Sequence, residues 1–186
     1  MNSIIKERMS DHLEVLQSVM AGDLPEKLDQ TAKIWKKALD GGHKVLFCGN
    51  GGSAADSQHL AAELVGRFQK ERRGLPSIAL TVDTSILTAV ANDYGYDTVF
   101  ARQVEALGQP GDVLVGLSTS GNSPNVLAAI KLAKEKGITC IGMTAAGGGK
   151  MAEACDICLA VPAKVTARAQ EMHIMMGHIL CELVDE

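Results

Sequence analysis

Residues 44–68 read KVLFCGNGGSAADSQHLAAELVGRF, and this stretch decides the fold. Lys44–Cys48 is a short apolar run bounded by glycine, the pattern of a strand buried on both faces. Gly49-Asn50-Gly51-Gly52 turns the chain, and Ser53 to about Phe68 carries apolar residues at helical spacing. Strand, glycine turn and helix open a βαβ unit, which predicts a parallel sheet.

Downstream, the alternation continues. Ser77–Val82 is a second strand candidate, and Val113–Leu117 is a third that runs into Ser118-Thr119-Ser120-Gly121-Asn122-Ser123. A helix over Pro124–Lys136, a strand over Thr139–Met143, a glycine-rich loop, a strand over Asp156–Val161 and a last helix from about Thr166 to Val184 follow. The expectation is an α/β protein, one domain over 1–186, with a five-stranded parallel sheet flanked by helices in an αβα core over 44–186. Upstream, residues 1–40 read as two helices. Ile5, Met9, Leu13, Leu16 and Met20 form one stripe; Leu28, Ala32, Trp35 and Leu39 form another after Pro25, and Gly41-Gly42 supplies a stop. Lying outside the alternation, these two helices are expected to cover an oligomer surface.

Composition narrows the function. Only 3% of the residues are aromatic, so the core is aliphatic and base-stacking platforms for nucleic acid are lacking. The net charge of −4 gives no basic field for nucleic acid or a membrane surface, so an anionic substrate must be held by local devices. Lys6, Glu7, Arg8, Asp11 and Glu14 interrupt the first apolar stretch, which argues against a signal peptide. No run is long and apolar enough to span a bilayer. Five cysteines without an export signal point to reduced thiols and a cytoplasmic location. Cys155 and Cys158 form a CxxC without a second pair and read as buried small hydrophobes.

Ligands of open parallel sheets bind beyond the carboxyl ends of the strands, where both polar glycine-rich segments fall. Small residues let backbone N–H groups approach a ligand, and a helix N-terminus adds positive potential. Ser118, Thr119, Ser120 and Ser123 therefore form a phosphate cradle that needs no lysine; turn and capping roles alone would not require so many hydroxyls. Neither segment is a Walker loop. Gly49, Gly51 and Ala54 fit a relaxed dinucleotide fingerprint, with Asp83 after the second strand as the ribose acid, but that reading leaves the hydroxyl cluster unexplained. His59 and Glu63 stand at i and i+4 on the helix that starts at the first loop, so they share a face that can look into the site, unless they are a plain surface pair.

CGNGGS after one strand and STSGNS after a later one resemble the SIS (sugar isomerase) fold. GNGGSAADSQHLAAELVGRF, LTAVANDYGYDTVFARQV, GDVLVGLSTSGNSPNVL and ARAQEMHIMMGHILCELV together resemble the phosphoheptose isomerases over nearly the whole chain. The resemblance implies a homotetrameric aldose–ketose isomerase that interconverts sedoheptulose 7-phosphate and D-glycero-D-manno-heptose 7-phosphate for heptose biosynthesis, with zinc, one ion per subunit. It implies Glu63 as catalytic base and His178 as its catalytic histidine. Substrate contacts fall on Asn50, Gly51, Gly52, Ser53, Glu63, Asn92, Asp93, Ser118, Thr119, Ser120, Ser123 and Gln170, and metal ligation on His59, Glu63, Gln170 and His178. Some relatives carry an acid just ahead of Arg-x-Gln-Glu; here Val165, Thr166 and Ala167 stand there.

A non-catalytic SIS paralogue that binds the replication initiator is the alternative, but it lacks counterparts of Glu63 and His178. Other readings stay bland. His173 is expected to be structural, His12 and His43 exposed, and Arg67, Arg72 and Arg73 solvated. Asn92-Asp93 also suits a helix end before Tyr94-Gly95. Gln170 and His178 are eight residues apart, about 12 Å of rise and 80° of rotation on a straight helix, whereas ligands of one zinc lie within about 4 Å of each other. The expected resolution is a site shared between subunits, with a bent or bulged last helix as the alternative.

Overall fold

A computed structural model describes residues 3–186. Two helices, α1 (Ser3–Ala21) and α2 (Leu24–Asp40), precede the alternating part. There follow β1 (Val45–Gly49), α3 (Gly52–Val65), β2 (Ser77–Ala79), α4 (Thr84–Tyr94), a 3-10 turn over Tyr96–Thr98, α5 (Val99–Leu107) and β3 (Val113–Leu117). Then come α6 (Pro124–Glu135), β4 (Thr139–Thr144), the short α7 (Met151–Ala154), β5 (Ile157–Ala160) and α8 (Thr166–Asp185). The five strands pair in parallel in the order β2-β1-β3-β4-β5. Each expected strand is present; β2 is shorter than its apolar run because it is an edge strand held by β1 alone.

Strand alternation divides the core. Val45, Phe47, Val113, Val115, Leu117, Ile141 and Met143 pack with α2, α3 and α8. Leu46, Cys48, Leu114 and Cys140 pack on the opposite face with α5, α6 and α7. Trp35 of α2 is fully buried and meets the Phe47 ring edge-on at 5.5 Å. The expectation for the N-terminal helices is half corrected here. α2 is a core helix: Leu24, Leu28, Ala32, Trp35 and Leu39 are buried, and it packs on α8 and β5. α1 buries only Val19 and leaves Ile4, Ile5, Met9, Leu13 and Met20 exposed.

Other expectations also change. Arg72 is not solvated: its Nε donates to Asp185 Oδ1 at 2.6 Å, and the same carboxylate accepts from the backbone of Gln69 and Lys70. The loop after α3 is thereby clipped to the end of α8. His12 is half-buried against Glu171, 2.8 Å away, and His43 half-buried near Asp112, so neither is simply exposed. Asp112 is itself fully buried, pairing with the Lys44 ammonium at 2.6 Å and accepting the Lys44 and Gln109 N–H groups. All five cysteines are free, and burial pushes the thiols of Cys140, Cys155 and Cys181 up to about 12, so they stay protonated. Cys158 is only half-buried.

Candidate active site

The order β2-β1-β3 reverses direction between β1 and β3, and that switch point is where a doubly wound sheet opens a crevice. The two glycine-rich loops follow these two strands. In the first, a Cβ on Gly49 would lie 2.8 Å from the Ser53 Cβ, so only glycine lets α3 start so close to the strand end. Gly51 and Gly52 lead into α3, with the Ser53 N–H bonded to the Asn50 carbonyl and Ser53 buried in the first turn.

The second loop gathers hydroxyls at the N-terminus of α6. Ser118 Oγ lies 2.8 Å from Ser123 Oγ and 3.3 Å from Ser120 Oγ. Ser120 Oγ accepts the Asn122 N–H, which leaves its own hydrogen free to donate, and Thr119 bonds through its carbonyl to the Ala145 N–H. The loop is buttressed from behind. Gly121, at φ +64°, has no room for a Cβ against the Gly148 carbonyl, and Asn122 accepts the Lys150 N–H. Neutral donors at the start of a 12-residue helix suit a phosphate group.

A third group lies between α3 and α8. His59 Nε2 is 3.0 Å from Glu63 Oε1 and 3.1 Å from His178 Nε2. Potential ligand atoms of the three residues all lie within 4.8 Å of one another. Phe68 stacks on the His178 ring at 5.6 Å. Two Nε2 atoms that face each other beside a carboxylate are ill-matched as neutral lone pairs, but together they make a donor set for a cation such as zinc. Glu63 keeps 26% of its side chain exposed, so the group is accessible.

Gln170 is not in this group. α8 runs unbroken from Thr166 to Asp185, and the Gln170 amide lies over Gly52, where a Cβ would come within 2.6 Å of its Nε2. It therefore sits level with the first loop, some two turns before His178. The bent-helix alternative is thus corrected: the last helix has no break that would fold the two residues together. Asn92 and Asp93 end α4 as expected; Asn92 donates to Asp93 at 2.8 Å, both are exposed, and α4 buries none of its residues. His173 is structural, fully buried and bonded through Nε2 to the Thr144 carbonyl at 3.0 Å; burial holds its pKa below the ordinary 6.5.

The sequence reading missed several residues. Asn125 and Tyr96 bond to Asn50. Phe68 falls at the expected end of a helix, and nothing local in the sequence signals its stacking on His178. Asp56, three residues before His59, has a buried Oδ2 with no hydrogen-bond partner, and burial raises its pKa against the opposing charge of His59.

A parallel sheet with a hydroxyl-lined loop at its switch point is the architecture of a SIS domain. The SIS domain family model matches residues 10–145. More specifically, the chain belongs to the phosphoheptose isomerase family. It is 60% identical over 168 residues to a phosphoheptose isomerase of Rhodospirillum rubrum, covering 90% of this chain and 89% of that one. It is 55% identical over 184 residues to that of Aliarcobacter butzleri, covering 99% and 96%. Among solved structures, phosphoheptose isomerase from Neisseria gonorrhoeae superposes with a TM-score of 0.92 at 44% identity, covering 97% and 96%. The enzyme from Francisella tularensis superposes at 0.94 and 38%, covering 100% and 99%.

Proposed function

We propose that this chain, as a single SIS domain over 1–186, isomerises sedoheptulose 7-phosphate to D-glycero-D-manno-heptose 7-phosphate and so supplies heptose biosynthesis. The observation that carries the proposal is the meeting of Glu63, His59 and His178 in one chain that also presents a neutral hydroxyl cradle at the start of α6. The comparisons lend no support to the non-catalytic alternative.

In this reading Ser118, Ser120 and Ser123, with Ser53 and the Thr119 backbone, hold the 7-phosphate. Asn50, Gly51, Gly52, Asn92, Asp93 and Gln170 face the sugar. Glu63 takes a proton from C1 of the open-chain ketose and returns it at C2, and His178 moves the hydroxyl proton. His59, Glu63 and His178 fit zinc, one ion per subunit, which would act as a Lewis acid on the sugar oxygens. Gln170 is the missing fourth donor. Its distance from His178 on an unbroken helix favours a second copy as its source, with sites between subunits, in keeping with the homotetramer that the family resemblance implies. The exposed apolar side of α1 is available for such contacts. No helix among the described residues is long and apolar enough to cross a membrane, and five free thiols suit the cytoplasm.

Turnover of sedoheptulose 7-phosphate followed by NMR tests the function. The shared site is tested by mixing Gln170→Ala and Glu63→Gln proteins after partial dissociation. Regained activity supports Gln170 and Glu63 serving one site from different chains; no regain, with a structure holding both around one metal in one chain, refutes it.

A further inference from the structure

Asn125 opens the buried side of α6 with 2% of its surface exposed. A primary amide so deep must be hydrogen-bonded, and its partner is Asn50, across the boundary between β3 and β1. The pairing is reciprocal: Asn50 Nδ2 donates to Asn125 Oδ1 at 2.9 Å, and Asn125 Nδ2 donates to Asn50 Oδ1 at 2.9 Å. A side-chain amide can usually be turned over without contradiction. Here it cannot, because the Val126 N–H donates to Asn125 Oδ1 at 3.0 Å, and a backbone N–H only donates. The Asn125 oxygen is thereby fixed, its nitrogen faces Asn50, and Asn50 must answer with its oxygen. The Tyr96 hydroxyl, 3.2 Å from that oxygen, occupies its second acceptor position. Asn50 is left with one uncommitted N–H.

We infer that Asn125 is a positioning residue of the isomerisation. It fixes the Asn50 amide with the oxygen turned away and one Nδ2–H offered to a sugar oxygen, and together with Tyr96 it ties the first loop to the second and to the segment after Asn92-Asp93. This rests on the proposed function, in which Asn50 touches the substrate. Asn125 itself touches no substrate and acts through Asn50.

The test is a double-mutant cycle on kcat/KM for sedoheptulose 7-phosphate, with the thermal midpoint of each variant measured alongside. Asn125→Asp keeps the shape and the acceptor for Val126, but places a carboxylate oxygen against Asn50 Oδ1. It is expected to lose about 10- to 100-fold in kcat/KM, the scale of one misplaced hydrogen bond. The Asn50→Ala and Asn50→Ala/Asn125→Asp proteins are expected to agree within about twofold, because removing Asn50 leaves Asn125 nothing to position. Losses that add, or an Asn125→Asp protein with unmodified kcat/KM, overturn the inference. If Asn125→Asp does not fold, Tyr96→Phe, at an exposed ring, carries the same test: a smaller loss that vanishes in the Asn50→Ala background supports the pairing, and an additive or absent loss overturns it. No turnover by the unmodified protein would overturn the proposed function instead. The cycle is then read as dissociation constants for sedoheptulose 7-phosphate by calorimetry, where non-additive losses support the pairing, and additive losses, no loss or no binding overturn it.

Discussion

Replacing Ser120 with alanine isolates the phosphate cradle from the rest of the fold. In the free protein the Ser120 side chain is exposed; its oxygen accepts the Asn122 N–H at 3.1 Å and lies 3.3 Å from Ser118 Oγ. Its hydrogen is therefore available to a phosphate oxygen. A hydrogen bond to a charged group contributes about 1.5–3 kcal/mol, which at about 1.4 kcal/mol per decade is a weakening of about 10- to 150-fold. Because the phosphate is remote from C1 and C2, the loss should appear mainly in KM, with kcat changed by no more than about threefold. Water can replace the lost acceptor for the exposed Asn122 N–H, so the thermal midpoint should move by only a few degrees. Steady-state kinetics with sedoheptulose 7-phosphate, together with inhibition by inorganic phosphate, measure the effect. Unchanged KM and unchanged inhibition would remove this loop from the site.

Three further outcomes follow from particular contacts. Trp35→Ala should cost about 3–5 kcal/mol in urea unfolding, since the ring is fully buried against Phe47; Trp35→Phe should cost less, because it also removes an indole N–H that has no partner. Burial alone would raise the Asp185 carboxyl, but the Arg72 guanidinium and the Gln69 and Lys70 N–H groups outweigh it and hold the carboxyl below 3.8. The native state thus gives up that proton more readily than the unfolded chain; the pair's contribution is complete above about pH 5 and is lost as pH falls through 3.8 and below, so Asp185→Asn should flatten the acid limb of stability against pH. Dialysis against a chelator should lower activity and the thermal midpoint, and zinc should restore both except in His59→Ala, as read by activity and by metal analysis.

The sheet and its loops were legible because their signals are local. Two glycine-rich turns after apolar runs mark the strand ends, and hydroxyls beside the second mark the cradle. His59 and Glu63 were legible as an i, i+4 pair, and the structure adds His178 to them. What was not legible depends on distant chain segments meeting. α2 looked peripheral because it precedes the alternation, yet Trp35 packs on Phe47 of β1. Arg72 looked like one member of a charge run, until Asp185, 113 residues later, paired with it. Asn125 carries no local signal because its partner, Asn50, is 75 residues away. The reach of Gln170 could be bounded from helix geometry, but not its placement over Gly52, which needs the packing of α8 on α3.

The central claim is tested most directly by isomerisation in D2O. Pure protein and sedoheptulose 7-phosphate should yield D-glycero-D-manno-heptose 7-phosphate carrying solvent deuterium at C2, visible by NMR, while Glu63→Gln, folded to the same thermal midpoint within a few degrees, should yield none because an amide cannot accept the proton. No aldose from the unmodified protein, or full turnover by Glu63→Gln, would contradict the account.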